Sequence, residues 1–156
     1  MNFKIELLKE NNNYILMNLV KIHLNAFEKF NFRSWNYSDF LDFLNNSSKI
    51  FYYKSDNKIL GFIIINLTSD FNEIITMAVD KIHQRKKIGK KLLEYIINCY
   101  QSDKALYIEV AKNNYQAINL YNKYGFEVIS ERKKYYFTCR GNNKGSRVDA
   151  LIMKLS

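Results

Sequence analysis

Hydrophobic positions along the chain recur with two different periods, and together they predict eleven secondary-structure elements. Alternating or continuous apolar runs predict strands over residues 3–8, 50–54, 59–66, 73–79, 105–110, 126–137 and 150–155. Apolar residues at helical spacing predict helices over residues 14–30, 38–44, 88–97 and 114–123. This order of elements predicts an α+β fold, with one mixed β-sheet flanked by about four helices.

Turn and cap residues support these boundaries. Ser38 is a candidate N-cap for the second helix, and Gly125 stands where glycine commonly ends a helix. The polar segment 55–58 predicts a hairpin turn, and segment 138–147 a polar loop. Because the sequence has no internal repeat and no Pro-rich or Gly/Ser-rich linker, we expect residues 1–156 to form a single domain.

Composition narrows the class of protein. Hydrophobic residues make up 47% and charged residues 25% of the 156 residues, as in a globular protein. The two cysteines are too few for a disulfide framework, and no Cys/His spacing predicts a zinc site. The longest unbroken apolar run is 62–65, and charged residues interrupt the first twenty positions. We therefore expect no metal, no membrane segment, no signal peptide and a cytoplasmic location.

The charge balance is strongly basic. Lys and Arg number 24 against 15 Asp and Glu, a formal net charge of +9. Such a surplus favours anionic partners, namely nucleic acid, a ribosomal surface or a phosphorylated cofactor, and it does not choose among them.

A basic turn at a helix start is the strongest local signal. The strand ending at Val79 leads into a turn that opens the helix at residue 88, and free amides at a helix N-terminus favour an anion. The turn has no Walker or dinucleotide-binding glycine pattern, and a solvated basic helix start is the simpler interpretation. Four cations surround it: Arg85, Lys86, Lys87 and Lys90.

Two further residues are candidates for acid–base chemistry. Glu109 interrupts an apolar strand near its C-terminal end, where open sheets place ligands, although an edge carboxylate facing water would give the same pattern. Tyr121 follows Asn114 by two helical turns and shares its face, although simple aromatic packing is the alternative. His23 is expected to be structural, and Cys99 to be a buried thiol.

The sequence also resembles a known family, the GCN5-related N-acetyltransferases (GNAT). Met77-Ala78-Val79-Asp80, followed by Gln84-Arg85-Lys86-Lys87-Ile88-Gly89, is similar to the acetyl-CoA signature Q/R-x-x-G-x-G/A. The match continues through 106–110, 113–121 and 124–126. Trp35, the segment 132–136 and the segment 149–153 resemble one branch, the bacterial ribosomal-protein-alanine N-acetyltransferases.

The resemblance implies an acyltransferase that moves acetyl from acetyl-CoA to the α-amine of an N-terminal alanine on a small-subunit ribosomal protein, by direct attack in a ternary complex. It implies Glu109 as general base, Tyr121 as the acid that protonates the thiolate, and Trp35 and Tyr135 as acceptor contacts. No nucleic acid is required as a partner. The implied contacts to acetyl-CoA are Met77, Ala78, Val79, Arg85, Lys86, Lys87, Ile88, Gly89, Lys90 and Asn114.

One departure from the signature concerns Lys87, which replaces the first glycine of the loop. Left-handed backbone at this position would cost a lysine about 1–2 kcal/mol. We therefore expect ordinary helical geometry there, with the ammonium reaching a phosphate. The alternatives for the function are acetylation of a lysine side chain or a small-molecule amine, and a basic RNA- or ribosome-binding module without catalysis.

Overall fold

The computed structural model describes residues 2–101 and 104–156. The strands of this described part are β1 (Phe3–Leu7), β2 (Ser48–Ser55), β3 (Lys58–Leu67), β4 (Asn72–Val79), β5 (Leu106–Ala111), β6 (Glu127–Phe137) and β7 (Arg147–Leu155). The helices are α1 (Asn13–Phe27), α2 (Tyr37–Asn45), α3 (Ile88–Tyr100) and α4 (Tyr115–Lys123), with short 3-10 turns at Glu28–Phe30 and Lys81–His83.

The strands form one mixed sheet in the order β1-β2-β3-β4-β5-β7-β6, which confirms the predicted fold class. Neighbours run antiparallel except β4 and β5, which are parallel. The turn between β2 and β3 is the predicted hairpin, with Asp56 and Asn57 both at positive φ, 48° and 66°. Two consecutive left-handed residues match the twist of the flanking strands, and Asp and Asn adopt that conformation readily.

The helices cover both faces of the sheet, and β3 shows how. Its alternate residues Ile63 and Ile65 belong to the core cluster that contains Leu92 of α3. Phe62 and Ile64 belong to the cluster that contains the buried residues of α1 and α2. The continuous apolar strand β3 therefore packs into both hydrophobic cores, because successive side chains point to opposite faces of the sheet.

Two predictions about the helices, the cap of α2 and the burial of Cys99 on α3, differ from the structure. Asn36, not Ser38, caps α2: its side chain accepts from the Asp39 N–H at 3.0 Å, and Asp39 accepts from the Asn36 N–H at 2.8 Å. This reciprocal capping box satisfies two otherwise free amides. The prediction that Cys99 is buried is wrong, since the residue lies on the exposed face of α3.

The parallel strands β4 and β5 separate part-way along their length. Their pairing covers residues 72–74 and 106–108, whereas β4 stays paired with β3 as far as Val79. The second half of β4 therefore diverges from β5 and opens a gap within the sheet. In the part of the chain described, no helix has the length and apolar composition needed to cross a bilayer.

Candidate active site

The gap between β4 and β5 leads into a cavity of about 550 Å³. Both strands contribute to its wall, together with α4, the α1–α2 segment and the end of β6. Predicted site residues that line it are Trp35, Met77, Glu109, Asn114, Tyr121 and Tyr135. Residues separated by up to one hundred positions in the sequence thus meet around one space.

Glu109 lies on β5 and is largely enclosed, with 19% of its side chain exposed. Its Oε1 forms an ion pair with the Nε of Arg132 on β6, at 2.8 Å. A second carboxylate, Glu73, stands nearby on β4, and its pKa is raised by burial and by the negative charge of Glu109. Glu109 therefore sits between a cation and a like charge, rather than as an isolated carboxylate facing water.

Tyr121 projects from α4 and is 3% exposed. Its ring packs against Phe126 with centroids 5.7 Å apart. Burial raises the pKa of the phenol well above its ordinary value, so the hydroxyl stays protonated at neutral pH. Asn114 caps the same helix, accepting from the Ala117 N–H at 3.3 Å. The two predicted residues of α4 therefore reach the cavity while also packing the helix in place.

An aromatic wall closes the opposite side of the cavity. The Trp35 ring stacks on the His23 ring with centroids 4.6 Å apart. The backbone N–H of Trp35 donates to Nδ1 of His23 at 3.5 Å. Burial lowers the pKa of His23 to about 4, so the imidazole is neutral at physiological pH and can accept this contact. His23 is structural, as expected, and it also lines the cavity.

A bulge in β6 turns two consecutive tyrosines toward the cavity. Arg132 lies opposite Ala150 and Tyr136 opposite Val148, so the three residues 133–135 of β6 face the single residue Asp149 of β7. The bulge contains Lys134 at φ 53°, and its N–H donates to Oδ1 of Asp149 at 2.8 Å. In a regular strand neighbouring side chains alternate between faces. The bulge lets both Tyr135 and Tyr136 border the cavity.

The loop after β6 is tied to the segment between α1 and α2. The Cys139 N–H donates to the Asn31 carbonyl at 2.9 Å, and the Arg140 guanidinium donates to the Phe32 carbonyl at 2.9 Å. Phe32 also stacks on Tyr136 with centroids 4.8 Å apart. These contacts join two distant parts of the chain into one rim of the cavity.

The basic turn lies between the end of β4 and the start of α3. Lys91 donates the first hydrogen bond within α3 to the Lys87 carbonyl, so the amides of Ile88, Gly89 and Lys90 have no acceptor inside the helix. The prediction of ordinary helical geometry at Lys87 is wrong: its φ is 66°, and Arg85 has φ 63°. The turn keeps the left-handed backbone that favours glycine, although it carries lysine and arginine.

Gly89 faces the gap beside β4. A Cβ built there would meet the side chains of Met77, Val79 and Leu120 at 3.7–3.8 Å, which is ordinary contact. Of the predicted backbone contacts on β4, Met77 lines the cavity, Ala78 is buried in the core on the α1–α2 side, and the Val79 carbonyl accepts from Gln84 at 3.0 Å. Arg85, Lys86, Lys87 and Lys90 are exposed.

Comparison with known proteins identifies the family of this chain. The Acetyltransferase (GNAT) family profile matches residues 16–126. The chain belongs to this family. The prediction that it is an acyltransferase is thereby confirmed. A curated relative, the [Ribosomal protein bS18]-alanine N-acetyltransferase of Escherichia coli K12, is 34% identical over 67% of this chain and 69% of its own length.

Two solved structures extend the comparison. The crystal structure of the ribosomal-protein-S18-alanine N-acetyltransferase from Escherichia coli aligns with TM-score 0.83 and 26% identity, over 99% of this chain and 93% of that one. A GNAT acetyltransferase from Elizabethkingia anophelis with acetyl-CoA bound aligns with TM-score 0.73 and 21% identity, over 99% and 98%. The second likeness concerns the fold alone.

Sequence reasoning missed several residues of this GNAT cavity. His23 and Tyr136 line it, and Arg132 contacts Glu109 from a strand two positions away in the sheet. The adjacent pair Tyr135 and Tyr136 was the available signal, because two bulky neighbours in an exposed strand suggest a bulge. In residues 2–101 and 104–156, no cluster of three His, Cys, Asp or Glu is placed to hold a metal ion.

Proposed function

We propose that this GNAT protein transfers the acetyl group of acetyl-CoA to the α-amine of an N-terminal alanine, on a small-subunit ribosomal protein, in a ternary complex. One observation carries the proposal: Glu109 and Tyr121 border the same cavity, at the point where β4 and β5 part. A carboxylate and a protonated phenol at one cavity are the two groups that direct acyl transfer to an amine requires.

The basic turn supports acetyl-CoA as the donor. The free amides of Ile88, Gly89 and Lys90 and the helix dipole suit a diphosphate, and four exposed cations surround them. Met77, on the strand that leads into this turn, lines the cavity together with Glu109, so a pantetheine arm lying along β4 would bring the thioester toward Glu109. A structural neighbour holds acetyl-CoA in the same fold.

The chemistry follows from the two side chains. An α-ammonium has a pKa near 7.7–8.0 and cannot attack until it loses a proton, which Glu109 accepts. The amine nitrogen then attacks the thioester carbonyl, so a C–N bond forms and the C–S bond breaks. The nitrogen gives up its second proton as the amide forms, and that proton restores the Tyr121 phenol after Tyr121 has protonated the thiolate. Tyr121, kept protonated by burial, supplies a proton to the departing thiolate. Asn114 remains a proposed contact to CoA beside it.

The aromatic wall supports a peptide terminus as acceptor. Trp35 and Tyr135 border the cavity, and the rim formed by Phe32 and Arg140 encloses that side. The curated relatives, which match over about two thirds of both chains, are named for alanine acetylation of ribosomal protein bS18. A ribosomal acceptor would place the reaction in the cytoplasm.

A peptide panel tests the acceptor. The protein is incubated with acetyl-CoA and peptides that begin with Ala, Ser, Met or Gly, one of them the N-terminus of the organism's own bS18, and the products are read by mass spectrometry. We expect one acetyl group on the terminal amine of the Ala-initiated ribosomal peptide. As a matched control, the same peptide with a blocked terminus and a free internal lysine should stay unmodified. Acetylation of that lysine instead would contradict the proposal.

A further inference from the structure

We propose that Arg132 is a positioning residue that holds the Glu109 carboxylate in its catalytic orientation from across the sheet. The inference rests on the proposed function of Glu109 as the base. Its starting point is the 2.8 Å contact from Nε of Arg132 to Oε1 of Glu109. That contact engages one carboxylate oxygen of Glu109, a residue that lines the cavity.

The sheet register brings these residues together. Glu109 on β5 pairs with Ile152 on β7, and Arg132 on β6 pairs with Ala150, two residues away. Residues two apart on a strand share a face, so Glu109 and Arg132 lie on the same side of the sheet. Ala150 presents only a methyl group, which leaves room for the long arginine side chain to cross β7.

The surroundings of Glu109 explain why a cation is needed there. Glu73 on β4 pairs with Tyr107, two residues before Glu109, and so adds a second carboxylate on this face. Tyr135 and Tyr136 on β6 are phenols whose pKa values are raised by burial and by the charge of Glu109. Among these described neighbours Arg132 supplies the positive charge. Its guanidinium also lies over the Tyr135 ring, 5.4 Å from the centroid.

A second ion pair provides a matched control. Lys112, the residue that follows β5, forms an ion pair with Glu131 on β6 at 3.1 Å, on the opposite face of the sheet from Arg132. Lys112 and Arg132 have nearly equal side-chain exposure, 52% and 55%. Lys112→Gln therefore removes one positive charge from an ion pair outside the cavity lining, where Lys133 also contacts Glu131 at 2.7 Å.

The test compares Arg132→Gln, Arg132→Lys and Lys112→Gln in steady-state kinetics. Removal of Arg132 should lower kcat/KM for the acceptor about 10- to 100-fold, because a displaced carboxylate is poorly aligned with the amine. Arg132→Lys should keep most of the wild-type kcat/KM, and KM for acetyl-CoA should not change in any of the three variants.

A readout without substrate separates this inference from the proposed function. Carboxyl carbon NMR of labelled glutamate at one fixed pH, with the Glu109 signal assigned from Glu109→Gln, should show the chemical shift of that signal changing in Arg132→Gln and not in Lys112→Gln. That result supports the contact even if the Ala peptide proves a wrong acceptor. Wild-type kcat/KM with an unmoved signal in a folded Arg132→Gln, or an equal change in Lys112→Gln, would overturn the proposal.

Discussion

The two parts of the proposed site are built in different ways. The proposed donor part is one continuous stretch, from Met77 on β4 to Lys90 on α3, and offers free backbone amides and exposed cations. The proposed acceptor part is assembled from α1, the segment after it, β5, α4 and the bulged end of β6. The donor part lies within one short stretch of sequence, whereas the acceptor part depends on sheet register and on contacts over long separations.

This difference indicates where each part should be sensitive. Single changes at the donor turn alter one contact among several amides and charges, so their effects should be modest. Changes at Glu109 or Tyr121 remove a group that has one position in the cavity. The following predictions run from the largest effect to the smallest.

Loss of the carboxylate should have the largest effect. Glu109→Gln keeps the shape of the side chain and removes its ability to accept a proton, so kcat should fall about 10²- to 10⁴-fold. Glu131→Gln makes the same chemical change on the opposite face of the sheet, in the pair with Lys112, and should retain wild-type kcat. Steady-state release of free CoA measures both. Equal turnover in the two variants would remove Glu109 from the mechanism.

Loss of the phenol hydroxyl should have the next largest effect. Tyr121→Phe should lower kcat about 10²-fold, because the thiolate then leaves without its proton donor. Tyr124→Phe is the matched control at the C-cap of the same helix: the Tyr124 hydroxyl donates to Oε1 of Glu94 at 2.5 Å, outside the cavity lining. That variant should lose stability and keep its turnover. A Tyr121→Phe enzyme with wild-type kcat would show that the ring only packs.

The buried histidine of the acceptor wall should make stability depend on pH. The pKa of His23 is lowered to about 4 in the folded state, so the unfolded chain binds the extra proton first as pH falls below 6.5. The free energy of unfolding should therefore drop by about 2 kcal/mol between pH 7 and pH 5 from this group. Denaturant titrations of wild type and His23→Gln, which keeps an acceptor for the Trp35 N–H, measure the difference. Identical pH slopes would contradict a buried neutral imidazole.

The donor turn should show the smallest effect. Lys87→Gly relieves a left-handed lysine at φ 66°, so the free energy of unfolding should rise by about 1 kcal/mol. Affinity for acetyl-CoA, measured by calorimetry, should change less than tenfold, because the neighbouring amides and cations remain. A large gain in affinity would show that the lysine obstructs the site.

Much of the fold could be predicted because its signals are local. The alternation in β3, the hairpin at 55–58 and the amphipathic face of α3 each lie within a short stretch of sequence. Glu109 could be singled out because a charge in an apolar strand is conspicuous. The α2 cap was misplaced because Asn36 and Ser38 are both good cap residues, and only the partner Asp39 distinguishes them.

The rest depends on geometry that no local pattern contains. Arg132 reaches Glu109 because the register of β5 and β6 against β7 brings the two residues to one face of the sheet. The helical geometry expected at Lys87 was wrong because the tertiary turn imposes a conformation that the residue itself disfavours. His23 and Trp35, twelve residues apart, meet because α1 and the segment after it fold back on each other.

A crystal structure of the protein with a CoA–peptide bisubstrate tests the central claim most directly. The account predicts that the diphosphate lies against the amides of Ile88, Gly89 and Lys90. It also predicts that the sulfur lies within reach of the Tyr121 hydroxyl and the peptide nitrogen within reach of Glu109. Phosphates bound elsewhere on the surface, or a sulfur remote from both side chains, would contradict it.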